Sequence, residues 1–200
     1  MIPGIRFVIS SITLAAAVAA IAANSSDRDF RAGAAGTYAH QSSDQVTIGA
    51  KPYDTQELTA EAFGKKTDLL KYGVLAVLVV IENKRQNAID LRDLEVNLVG
   101  ADGRHVTAIN PEDVPYLGTN TRRPSQVPLP VPLPKKKNPL NAREIVTRAF
   151  SAKVLPPGDS ANGFFYFEAK REPGDKIYLN GLRDARSAQE ILYFEFSLDQ

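Results

Sequence analysis

"GVLAVLVVIENK", residues 73–84, runs through nine small or apolar residues and stops at Glu82. The run is too short to cross a bilayer as a helix, which takes about 20 residues. Val74, Val77, Val79, Val80 and Ile81 are β-branched, which favours an extended chain. Gly73 and the polar "ENKRQN" bound it as they would a strand. Both alternating faces are apolar: Val74, Ala76, Leu78 and Val80 on one, Leu75, Val77, Val79 and Ile81 on the other. Such a strand needs a cover on each side. An opposing sheet supplies one, and a helix or long loop supplies the other.

Two segments can form that cover. "DTQELTAEAFGKK" starts at Asp54 with Glu57 three residues on, a capping-box spacing, and Gly64 is placed to end the helix in the left-handed conformation. "NPLNAREIVTRAF" sets Pro139 at a first-turn position, with Leu140, Ile145, Ala149 and Phe150 on one side. Its tail fits a strand equally well. Neither is long enough to stand without tertiary packing.

The other segments read as short strands. "VTIGAKPY" (46–53) is expected at a sheet edge, because Pro52 has no N–H for a ladder. "LRDLEVNLVG" alternates about Leu94, Val96 and Leu98, and Asp102-Gly103 marks a hairpin turn into "HVTAI". "AKVL", "GFFYFEA", "IYLNGL" and "ILYFEFSL" follow, separated by "PPGDS", "KREPGDK" and "RDARSAQE". Leu192, Phe194, Phe196 and Leu198 share one face of the last. About eight such strands with turn signals between them point to an all-β, two-sheet sandwich with one or two short covering helices.

The blocks "YGVLAVLVVIENKRQNAIDLRDLEVNLVGADGRHV" and "LPPGDSANGFFYFEA" resemble the immunoglobulin-like, telokin-like domains of exported bacterial proteins of unknown function. The resemblance covers roughly residues 70–110 and 150–200. It implies an immunoglobulin-like sandwich and an envelope location, and no particular reaction. Many members of that group are lipoproteins. This chain has no cysteine to carry the lipid, and it has a long insertion between the two blocks.

The chain opens "MIPGIRFVISSITLAAAVAAIAANSS": a weakly basic start, an uncharged run over 7–23, and a small-x-small signal at 20–22. That is the layout of a secretory signal peptide over residues 1–22, which implies a periplasmic or secreted protein. The competing reading is an inner-membrane anchor formed by residues 7–23. Residues 23–45 are rich in Ser, Gly, Ala and charge, and read as a flexible linker to a sandwich spanning 46–200.

A Pro/Lys-rich insertion occupies about 119–140. Prolines at 128, 130, 132 and 134 favour polyproline II and do not spell a PxxP ligand. Between 121 and 153, Arg122, Arg123, Lys135, Lys136, Lys137, Arg143, Arg148 and Lys153 face only Glu144, a local charge of +7 in a chain of net charge +1. This is a solvated loop or a docking arm for an anionic partner, an envelope polymer or anionic lipid. Nucleic acid is not expected, since the arm offers no stacking aromatics.

Chemistry is sparse. Without cysteine there are no disulfides, thiolate metal sites or cysteine nucleophiles. His40 and His105 are the only histidines and form no metal-binding spacing. No GxSxG, Walker or GxGxxG motif occurs. Neither metal nor cofactor is expected. Glu168 and Glu195 would serve a hydrolase only if strand pairing brought them into a common cleft. If Phe165 and Phe167 face the core, Phe164 and Tyr166 face the other way, and Tyr178 and Tyr193 also fall on an outer side. The four form either a platform for a sugar or protein partner, or the underside of the covering layer. The expected function is a non-enzymatic binding or structural module of the envelope. The alternatives are a carboxylate-based hydrolase and an accessory subunit docked through the basic arm.

Overall fold

A computed structural model describes residues 30–117, 140, 143–191 and 193–199. In chain order the strands and helices are β1 (Ala39–Ser43), β2 (Val46–Tyr53), α1 (Gln56–Phe63), β3 (Val74–Asn83), β4 (Ile89–Asp90), β5 (Glu95–Val99), β6 (His105–Thr107), α2 (Arg143–Thr147), β7 (Val154–Leu155), β8 (Ser160–Glu168), β9 (Lys176–Asn180), β10 (Arg183–Asp184) and β11 (Phe194–Ser197). They form a first sheet β1-β2-β3-β8, a second sheet β11-β9-β5-β6 and a small sheet β10-β4-β7, with every strand pair antiparallel. This is the two-sheet sandwich with two short helices that the alternation implies.

β3 is the central rib. Val77 sits between Pro52 of β2 and Phe165 of β8, and Leu78 between Lys51 and Phe164. Its odd-numbered face, Leu75 to Ile81, joins Val46, Ile48, Phe167, Val96, Leu98, Ile177, Leu179 and Phe194 in the core between the sheets. Its even-numbered face, Val74 to Val80, joins Ala62, Phe63, Val114, Leu140, Ile145, Phe164 and Tyr166 in a second core beneath α1 and α2. Each fully buried Val, Leu or Ile contributes about 1.5–3 kcal/mol of transfer free energy. The molecule is therefore three layers: helices, sheet, sheet.

The cover differs in detail from its sequence signals. The α1 cap is Thr55, whose Oγ1 accepts the Leu58 N–H at 3.3 Å, and not Asp54. Gly64 has φ 86 but ψ 152, so it ends the helix outside the left-handed helical well. α2 stops at Thr147, after which Ala149 bridges Phe164 in parallel and Phe150 crosses to the inter-sheet core. The strand-like tail is thus the outcome.

Two expectations are overturned. Residues 30–43 are not a linker. β1 pairs along β2 from Ala39↔Ala50 to Ser43↔Val46, and Phe30, Ala32, Ala35 and Tyr38 pack on the second core. Ala35 donates its N–H to Glu82 Oε1 at 2.8 Å. Small residues are what this crossing needs, because a Cβ on Gly49 would lie 2.2 Å from the Ala35 carbonyl oxygen. Secondly, β2 is an interior strand. Pro52 is tolerated because β1 reaches only to Ala50, which leaves the last turn of β2 with one neighbour.

One end of the sandwich is pinned by polar groups. Asn83, buried at the end of β3, donates to the carbonyls of Asn87, Leu155 and Pro156 at 2.9–3.0 Å. Asp184, also buried, accepts from Asn87 Nδ2, Arg85 Nη2 and the N–H groups of Arg186 and Ser187. Arg85 also reaches Asp44 at the β1–β2 turn. The apolar strand therefore ends in a fully partnered cluster that joins three turns.

Candidate functional site

Antiparallel register decides which predicted aromatics meet. On the outer face of the second sheet, Glu195, Tyr178, Asn97 and Thr107 form one row across β11, β9, β5 and β6, and Ser197, Lys176, Val99 and His105 form the next. Tyr193, two residues before Glu195, extends the same face. Its ring lies 5.5 Å from that of Tyr178 at 30°, and His105 meets Tyr178 edge-on at 6.4 Å and 71°. Lys176 Nζ and Glu195 Oε1 pair at 3.0 Å beside them.

Exposure separates this face from the cores. Tyr193 is 57% exposed, and Tyr178 and His105 are half-buried and exposed respectively. No covering layer lies over them among the described residues. The result is an aromatic strip bordered by amides, hydroxyls and one ion pair. It can offer ring faces to C–H surfaces and hydrogen bonds around the rim. His105 belongs to it through the 102–103 hairpin, which places the histidine opposite Val99. The sequence gives His105 no metal-binding spacing and does not by itself place it beside the tyrosines. The signal that could have found it was the row register of the hairpin.

Phe164 and Tyr166 do not belong to this strip. They are 1% and 0% exposed, beneath the helices. Phe164 packs on Phe63 at 4.8 Å and Tyr53 at 4.9 Å, and the Tyr166 hydroxyl donates to the Ile145 carbonyl at 2.7 Å. Burial pushes the Tyr166 and Tyr53 phenols well above the ordinary tyrosine range. These two positions serve the fold. The alternation that marked them as outer also fits the underside of a second layer, and that is where they lie.

The remaining candidates fall as follows. Arg122, Arg123, Lys135, Lys136 and Lys137 lie outside the described residues, as does the segment 1–29. The insertion is rooted in the second core, with Val114 and Leu140 both fully buried at its two ends. Arg148 is committed to the Ala62 carbonyl and sits 5.3 Å over the Phe30 ring. Glu168 lies on β8 of the first sheet and Glu195 on β11 of the second, so strand pairing does not join them. Among the described residues no group of three His, Asp or Glu could hold a metal ion. None of the described helices is long and apolar enough to cross a membrane.

No protein-family model matches the chain, and no curated protein matches it significantly. Solved structures do. A Bacillus subtilis protein designated a lipoprotein is 14% identical, with TM-score 0.38, over 79% of this chain and only 38% of its own length. MPT63, a secreted protein of Mycobacterium tuberculosis, is 15% identical over 82% of this chain and 95% of that one, with TM-score 0.35. The ApaA protein of Bordetella pertussis is 11% identical over 82% and 98%, with TM-score 0.37. At these scores the likeness assigns neither ancestry nor activity.

Proposed function

We propose that this chain is an exported, non-enzymatic binding module of the bacterial cell envelope, and that it engages its partner through the Tyr178–Tyr193 face. The observation that carries the reading is the pair itself. Two tyrosine rings lie 5.5 Å apart, tilted by 30°, on the outside of a sheet whose other face already fills the core, so the fold does not require them there. Amphipathic rings held at low entropic cost are favoured recognition groups. Export rests on the leader-like segment 1–22, and the resemblance to immunoglobulin-like, telokin-like domains of exported proteins is part of the same proposal. The basic segment 121–153 supplies a second contact to an anionic envelope component, rooted by Val114 and Leu140.

Co-sedimentation with isolated envelopes tests the reading. The full chain should pellet with the envelope. A Y178S/Y193S double variant should stay in the supernatant while its melting temperature changes little. Equal pelleting of the two proteins would reject the tyrosine face.

A further inference from the structure

A second surface feature shares no residue with the tyrosine face. Between the turn 91–94 and the extended segment 150–153 lies an open groove of about 440 Å³, within the size range of small-ligand clefts. Leu91, Leu94, Phe150 and Phe165 form its floor and walls, with the two phenylalanine rings stacked at 5.3 Å and 23°. Leu94, Phe150 and Phe165 all belong to the margin of the inter-sheet core but remain partly open to solvent. The groove is thus a seam in that core. The Leu91 N–H donates to the Lys153 carbonyl at 2.9 Å, which ties its two banks together.

The charges on the rim do not cancel. Arg92 is held by Asp90, with Nε at 2.9 and 3.0 Å from the two carboxylate oxygens. Asp93 is paired with Arg183 at 3.1 Å. Lys153 is exposed and has no carboxylate partner among the described residues. One cation is left beside an apolar trough.

We infer that this groove binds a single-chain aliphatic carboxylate, a fatty acid anion, with the alkyl chain along Phe150 and Phe165 and the head group on Lys153. A peptide would bring an N–H and a C=O with every residue, each needing a partner that apolar walls do not supply. An alkyl chain brings none, and one negative charge matches the single uncompensated lysine.

The test titrates the full chain with dodecanoate below its aggregation concentration, followed by calorimetry and by aromatic-proton NMR. Saturable one-to-one binding is expected, with shifts confined to Phe150 and Phe165. Octanoate, four methylenes shorter, should bind at least on the order of tenfold more weakly. Lys153→Gln should lose on the order of tenfold, and Lys153→Arg should retain the affinity, the loss expected for a partly solvated charge pair. Dodecyltrimethylammonium should bind more weakly than dodecanoate. No saturable binding, equal affinity for the cationic detergent, or shifts centred on other residues would overturn the inference.

Discussion

Gly49 and Ala35 approach so closely that an added methyl group on Gly49 would stand 2.2 Å from the Ala35 oxygen and 2.8 Å from its carbonyl carbon. The neighbour is backbone, so it cannot rotate away. Gly49→Ala should therefore destabilise the fold by about 1–3 kcal/mol, seen as a lower urea midpoint. Gly36 lies in the same turn, and a methyl group added there would meet nothing within 4 Å, so Gly36→Ala should leave the midpoint nearly unchanged. Equal effects at the two glycines would refute the packing of the amino-terminal segment on β2.

Tyr166 ties α2 to β8 through its hydroxyl, and removing that group leaves the Ile145 carbonyl without its donor. Tyr166→Phe should cost about 1–3 kcal/mol. Burial raises the folded pKa of Tyr166 and Tyr53 above the unfolded value. The stability they add is therefore complete below about pH 10 and lost as pH rises beyond it. In an alkaline titration, their phenolate absorbance should emerge together with unfolding. Ionisation of all seven tyrosines in the folded state would contradict the buried pair.

Asp184 gives the opposite pH dependence. The Ser187 N–H, the Asn87 amide and the Arg186 N–H hold its carboxyl well below the usual range. A depressed folded pKa adds stability above the unfolded value of about 4, and that stability is lost as pH falls below it. Asp184→Asn should be less stable than the parent at neutral pH, with a smaller further loss between neutrality and acid. Parallel stability-against-pH curves for the two proteins would count against the polar pin.

The insertion should be separable from the fold that carries it. Leu140 is fully buried at its root, so Leu140→Ala should cost about 2–5 kcal/mol in denaturant unfolding. Deleting residues 121–137 keeps Val114 and Leu140 and should change stability by on the order of 1 kcal/mol, the loop-closure difference for a shorter link. A larger loss on deletion than on Leu140→Ala would reverse that assignment.

β3 was legible because two alternating apolar sets leave only one kind of place for a strand, between two layers. The 102–103 hairpin was legible because its turn residues carry their own geometry, with Gly103 at φ 80. Three features were not. Residues 30–43 carry only Phe30 and Tyr38 as large apolar groups among small and polar ones, yet small residues are what the close crossing at Gly49 admits. Pro52 marks an edge only where a neighbour would need its N–H, and β1 ends before reaching it. Phe164 and Tyr166 alternate as outer residues do, and alternation cannot tell a wet face from the underside of a helix. The tyrosine strip was half legible: parity placed Tyr178 and Tyr193 outward, but only register brings His105 beside them.

Amide hydrogen exchange across residues 74–83 of the full chain addresses the central rib directly. With strands on both flanks and apolar layers on both faces, these amides should be among the slowest in the molecule, opening only with global unfolding. Exchange of this segment as fast as that of the exposed 101–104 turn would contradict the three-layer arrangement.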